Sequence, residues 1–122
     1  MNKVNLAEKF ASFSEQWTPK IVGEVNNSYV KLAKLAGEFV WHNHAAEDEL
    51  FLVIKGSLTL KFRDGSEIVL NAGEFAIVPK GVDHLPVAAE EAHVVLLEPK
   101  TTKHTGDTET ERTVAVSRQE FI

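Results

Sequence analysis

Leu58, Leu60 and Phe62 alternate with Thr59, Lys61 and Arg63, the period-two pattern of a strand with one face buried. Asp64-Gly65 then makes a tight turn and Glu67 to Leu70 returns, so this stretch predicts a hairpin. Upstream, Glu49-Leu50-Phe51-Leu52-Val53-Ile54 stops at Lys55-Gly56 and reads as a buried strand; downstream, Phe75 to Val78 ends in a Pro-x-Gly turn. Asp83 to Val87 and Ala92 to Glu98 predict two further strands, separated by Ala88-Ala89-Glu90-Glu91. Ile21 to Val25 and Ser28 to Val30 flank Asn26-Asn27 as a second hairpin. Val30 to Ala36 is rich in Ala, Leu and Lys, which favour helix. A strand is nevertheless expected there, because tertiary context overrides propensity in a closed sheet. Near the N-terminus, Leu6, Phe10, Phe13 and Trp17 recur at helical spacing behind the capping box Asn5-Leu6-Ala7-Glu8, which predicts a short amphipathic helix ended by Pro19 and packed on the sheet. About ten strands in all fit an all-β, double-sheet jelly-roll barrel.

Composition narrows this to one small domain. The chain has 122 residues, 43% hydrophobic and 25% charged, the balance of a globular protein with room for one core. Residues 1–19 are expected as a helical segment on the barrel, 20–99 as the barrel itself, and 100–122 as a polar, threonine-rich loop and C-terminal segment. A net charge of −5 works against binding a phosphate backbone, so no nucleic-acid partner is expected. Lys31 and Lys34 read as a solvated face. No apolar run reaches the length of a membrane span, and Met1 to Leu6 lacks an apolar signal core, so a cytoplasmic protein is expected. The chain contains no cysteine, which leaves histidine and carboxylate as the carriers of any chemistry.

Those residues are arranged suggestively. On an extended chain His42 and His44 project from one face, Glu49 opens a neighbouring strand, and His84 follows the Pro79-Lys80-Gly81 turn. Three imidazoles and a carboxylate at these positions make a metal site the leading hypothesis. The structural alternative, polar residues on half-exposed strands, would need four such coincidences.

The two segments resemble the cupin superfamily, whose first motif is G-x5-H-x-H-x3 or x4-E-x6-G and whose second is G-x5-P-x-G-x2-H-x3-N. Four residues, not five, lie between Gly37 and His42; His42-x-His44, the four residues to Glu49 and the six to Gly56 all agree. Gly73, Pro79, Gly81 and His84 match the second motif, and Ala88 stands where the family has asparagine. The resemblance implies a small barrel with one metal held by His42, His44, Glu49 and His84. Such a donor set suits Fe, Mn, Ni or Zn. It further implies a metal-dependent enzyme of dioxygenase or isomerase type acting on a small organic molecule, or else a noncatalytic cupin that binds a small ligand or stabilises a partner. A homodimer is expected by the same analogy, with Val114, Val116, Phe121 and Ile122 pinning the chain end to the barrel or to a second subunit. Strand parity makes Val40, Phe51 and Val53 the expected pocket walls. Asn43, Asp48 and Asp83 lie near the ligands in sequence and receive no role, and His93 and His104 are expected to be structural or solvated.

Overall fold

The computed structural model describes residues 1–106 and 119–122. A short helix, α1 (Leu6–Ala11), precedes eight strands among these residues: β1 (Lys20–Val25), β2 (Ser28–Glu38), β3 (Glu49–Lys55), β4 (Ser57–Phe62), β5 (Glu67–Asn71), β6 (Phe75–Val78), β7 (His84–Pro99) and β8 (Glu120–Phe121). They form a jelly-roll barrel. Strand order runs β5-β4-β7-β2-β1-β8, with β3 joining β7 and carrying β6 on its other edge. No helix among the described residues is long and apolar enough to cross a membrane.

Alternation sets the interior. Along β3, Glu49, Phe51 and Val53 are buried while Leu50 and Leu52 are only half-buried. Phe51 and Val53 join Ala33 and Leu35 of β2, Leu58 and Leu60 of β4, Leu70 of β5, Val78 of β6, and Ala88, Ala92, Val94 and Leu96 of β7 in one core cluster. Each fully buried leucine contributes about 2 kcal/mol through apolar area removed from water.

The predicted hairpins are present: Val25 pairs with Ser28 across Asn26-Asn27, and Leu60 pairs with Ile68 across the Asp64-Gly65 turn. Residues 30–36 are strand, as expected, because β2 lies between β1 and β7 and its backbone groups are taken by both neighbours. The two strands expected at 83–87 and 92–98 are one, β7. The chain stays extended through Ala88 to Glu91, but the register shifts there: between the pairs Leu35–Ala92 and Gly37–Ala88, Ala36 alone opposes Ala89, Glu90 and Glu91. At this irregularity β7 exchanges β4, paired through Val87, for β3, paired from His93.

The N-terminal stripe is not one helix face. Asn5 caps α1 by accepting from the Glu8 backbone N–H at 3.0 Å, but the helix stops at Ser12, whose N–H bonds the Lys9 carbonyl. Phe10 and Phe13 cover Leu32 on the outside of the sheet. Trp17 lies beyond the helix at a positive φ of 57°, donates Nε1–H to the Ala36 carbonyl at 2.9 Å, and stacks on Phe39 at 4.4 Å. At the other end Phe121 pairs with Ile21, and Ile122 donates to the Ile21 carbonyl, so these two pin to the chain's own barrel. Val114 and Val116 lie outside the described residues.

The solvated face expected for Lys31 and Lys34 is overturned, for both are buried. Lys34 turns outward beneath the N-terminal segment, with Nζ 2.5 Å from the Phe13 carbonyl and 4.9 Å from its ring. Lys31 turns inward and meets Glu98 at 2.8 Å.

Gly56 holds φ at +84°, and a Cβ there would come within 3.1 Å of the Glu91 carbonyl oxygen, at the place where β7 changes partner. Gly65 has a similar φ and open space around it. Gly56→Ala should therefore lower the unfolding free energy by about 2 kcal/mol or more, combining positive φ with crowding, and Gly65→Ala by only the conformational part, about 1 kcal/mol. Urea titration of the two variants checks this; equal losses would mean the close approach to Glu91 costs nothing.

Candidate metal centre

The ends of β3 and β7 and the segment between β2 and β3 bring His42, His44, Glu49 and His84 together. All four are buried, and one donor atom from each lies within 4.8 Å of the others. His42 and His84 are opposite each other in an antiparallel bridge, with His42 N–H donating to the His84 carbonyl at 3.1 Å and the reverse bond at 2.9 Å. Their rings therefore leave the backbone side by side, with centroids 4.2 Å apart.

Each of these imidazoles is oriented by the same local device. Nδ1 of His42 lies 2.8 Å from the Val40 carbonyl, and Nδ1 of His84 lies 2.9 Å from the Val82 carbonyl. A carbonyl can only accept, so the proton sits on Nδ1 and the Nε2 lone pair remains as a ligand atom. Glu49 Oε1 lies 3.3 Å from His44 Nε2 and 3.5 Å from His84 Nε2. Glu49 Oε1 and His84 Nε2 are buried with no hydrogen-bond partner in the protein. Buried polar atoms without partners are costly, and a cation between them would satisfy both. The donor set therefore fits a metal ion.

Charge around the cluster is divided between two carboxyls. Burial pushes Glu49 up, but the neighbouring Glu98 carboxyl and the imidazoles of His44 and His84 outweigh it and hold Glu49 well below the usual carboxylate range. Glu98 goes the other way, raised by burial and by the negative charge of Glu49 against the pull of Lys31. The two carboxyls are thus pushed in opposite directions. His42 is lowered to about 4, chiefly by burial and next by His84, so its ring is neutral at ordinary pH.

A cavity of about 30 Å³ adjoins the cluster, lined by His42 and Glu49 together with Phe39, Phe51, Leu35 and Leu96, among others. Of the expected walls only Phe51 lines it. Val53 is packed in the core, and Val40 lies past the end of β2. Phe39 takes that place. Trp17 and His104 also line the cavity. The solvated or structural role expected for His104 needs correction on its first half: the ring is buried and stacks on Phe39 at 5.5 Å. The polar segment expected beyond Pro99 is in fact packed at Thr102, His104 and Thr105. A Cβ on Gly106 would land on the Asn43 carbonyl and 3.3 Å from the His42 ring, so only glycine lets this segment lie so close. Nothing in the local composition signals that contact. His93 stands apart, stacked on Phe10 at 4.6 Å and paired with Glu91 at 3.2 Å.

The three polar neighbours hold the loops rather than the rings. Asn43 donates to Asp83 at 2.6 Å, and Asp48 accepts from the Lys80 backbone N–H at 2.9 Å, so each bond ties the first histidine segment to the loop before His84.

A jelly-roll barrel with His, His, Glu and His gathered inside it defines a cupin. The model of the cupin domain family matches residues 28–100, and the chain belongs to that family. The chain is 46% identical to a cupin-2 domain protein of Shewanella frigidimarina, with a TM-score of 0.77 over 79% of this chain and 93% of that one. Protein NMB1881 of Neisseria meningitidis is 32% identical, with a TM-score of 0.75 over 80% of this chain and 99% of that one. Protein YdbB of Bacillus subtilis (strain 168) is 42% identical over 77 residues, 63% of this chain and 62% of that relative's length.

Because His42 stays neutral in the fold down to about 4 while its ordinary value is 6.5, the unfolded chain takes up a proton first as pH falls. Stability supplied by the neutral ring is complete above 6.5 and is lost on the way to 4, roughly 3 kcal/mol in total. Urea unfolding of metal-free protein at pH 7, 5.5 and 4 should show this loss, and His42→Gln should show a loss smaller by that amount. An identical pH dependence in both proteins would mean the ring is not buried neutral.

Proposed function

We propose that this cupin is a metal-dependent enzyme acting on a small organic molecule by dioxygenase or isomerase chemistry, with His42, His44, Glu49 and His84 as the metal ligands. One observation carries the reading: four buried donors converge within 4.8 Å, and two imidazoles are fixed with Nε2 inward by backbone carbonyls. A divalent iron, manganese, nickel or zinc ion held there would supply Lewis acidity and, for iron or manganese, redox chemistry, with coordination positions beyond the four protein ligands open.

The chain's own residues prepare that site. Phe39, Phe51, Leu35 and Leu96 keep bulk water from the donors, which strengthens each electrostatic contact inside. Glu49 offers a carboxylate already ionised, and His42 a ring already neutral, so neither proton need leave before a cation binds at neutral pH. His104 lines the same cavity, where its ring can meet a bound molecule.

A second reading, a cupin that captures a small ligand without turning it over, is favoured by the largely apolar wall of the cavity. A homodimer belongs to either reading. Its support is the apolar outer row formed by exposed Phe75 and Ile77 on the edge strand β6, which continues onto Leu50 of β3 and exposed Leu97 of β7. Sedimentation that shows only monomer would remove it.

Elemental analysis of untagged protein should find close to one transition metal per chain in the wild type and little in His44→Ala. Equal metal in both would sink the ligand assignment. Oxygen uptake by the iron-loaded protein against a panel of small aromatic and carbonyl compounds then separates the readings: a ligand that raises the melting temperature without turnover supports capture.

A further inference from the structure

Two ionisable side chains in the barrel interior have no part in the ligand set. Lys31 and Glu98 have no exposed side-chain surface, and Nζ lies 2.8 Å from Oε1. A buried pair of this kind is poor value for stability, since desolvation of two charges cancels most of their attraction and apolar replacements of similar volume commonly do as well or better. Their placement suggests another use. Leu50 pairs with Leu97 and Phe51 with Leu96, so continuing the antiparallel register sets Glu49 opposite Glu98, both on the inward face. Lys31 is the diagonal neighbour on β2, which pairs Tyr29 with Glu98 and Lys31 with Leu96. The interior therefore carries a row across three strands, Lys31, Glu98, Glu49, which ends at the imidazoles of His44 and His84. The far side of the row is closed by the Thr102 carbonyl, 3.4 Å from Lys31 Nζ. Glu98 is not itself among the converging donors.

We propose that Glu98 and Lys31 are positioning residues of the metal centre: Glu98 holds the Glu49 carboxylate toward the three imidazoles, and Lys31 holds Glu98. The inference rests on the metal-site reading above. Its physical basis is that a carboxylate ligand on a strand has two free side-chain torsions short of its carboxyl group, and a buried hydrogen-bonding neighbour removes that freedom before the cation arrives. Lys31 keeps Glu98 from turning away and balances charge in a region that water does not reach. The pair therefore acts on metal affinity and on ligand geometry, while the barrel folds without it.

Cobalt(II), whose visible absorption reports ligand number and geometry, is the probe. Metal-free wild type, Glu98→Gln, and the double variant Lys31→Met/Glu98→Leu are titrated with cobalt(II) in competition with a chelator, and each is melted without metal. The double variant is expected to melt at or above the wild-type temperature, yet to bind cobalt about 10–100-fold more weakly and with an altered spectrum. Glu98→Gln, whose amide can still donate to Glu49, is expected to keep the wild-type spectrum and an affinity within a few-fold. Wild-type affinity and spectrum in the double variant would overturn the positioning role and leave the metal site standing. Equal weakening in Glu98→Gln would also overturn it. No cobalt bound by wild type would bring down both the site and this inference. If the double variant does not fold, Glu98→Asp decides: it keeps the carboxyl group but draws it back by one methylene, and unchanged binding there would refute the proposal.

Discussion

Glu98 lies fourteen positions after His84 on one continuous strand, a span of roughly 45 Å if the chain ran straight. Both ends nevertheless arrive at Glu49: His84 Nε2 lies 3.5 Å from its Oε1, and Glu98 faces it across the β3–β7 pair. The β2–β7 ribbon must therefore curl almost around the interior. It does so at the irregularity where Ala36 opposes Ala89, Glu90 and Glu91, and where β7 passes from β4 to β3 as its partner. Bulges add local bend and twist, and here the bend closes the barrel. The core, the cavity and the four donors all lie inside that curl.

Much of this was legible in the chain because it follows from short-range rules. Alternation at Leu58–Phe62, the Asp64-Gly65 and Asn26-Asn27 turns, and the matched spacing of His42, His44, Glu49 and His84 each depend on a few neighbouring residues. What escaped depends on long-range packing. Lys31 and Lys34 read as surface residues because lysine rarely leaves water, and only the sheet shows that one meets Glu98 and the other a backbone carbonyl under Phe13. Trp17 fitted a helical stripe by spacing, but the helix has too few residues to reach it, and its ring packs better on Phe39. Ala88 to Glu91 reads as a break between strands because its two glutamates interrupt the apolar pattern. Physically the interruption marks a change of partner rather than the end of a strand.

His104 illustrates the other limit. Its neighbours Thr102, Lys103 and Thr105 give no hydrophobic pattern, so composition assigns the segment to solvent. Its burial is imposed by shape instead: Gly106 lets the backbone rest against Asn43, and the His104 ring then stacks on Phe39 beside His42. Contact between a polar segment and an aromatic face leaves no periodic mark.

Two loops that meet beside the start of β7 differ in how they are held. The turn after β4 is closed by its own atoms, with Phe62 N–H donating to the Ser66 carbonyl, Gly65 N–H donating to the Phe62 carbonyl, and Asp64 accepting from Ser66. The loop before His84 is laced to the opposite segment at three places, by Gly81 N–H to the His44 carbonyl, by Lys80 to Asp48 and by Asp83 to Asn43. One inserted residue in the first would lengthen a hairpin and leave the interior alone. One inserted residue between Pro79 and Asp83 would slide His84 out of its bridge with His42 and turn its ring to the other face. Descendants of this chain are free to vary in length at one of these neighbouring loops and are held to a fixed count at the other.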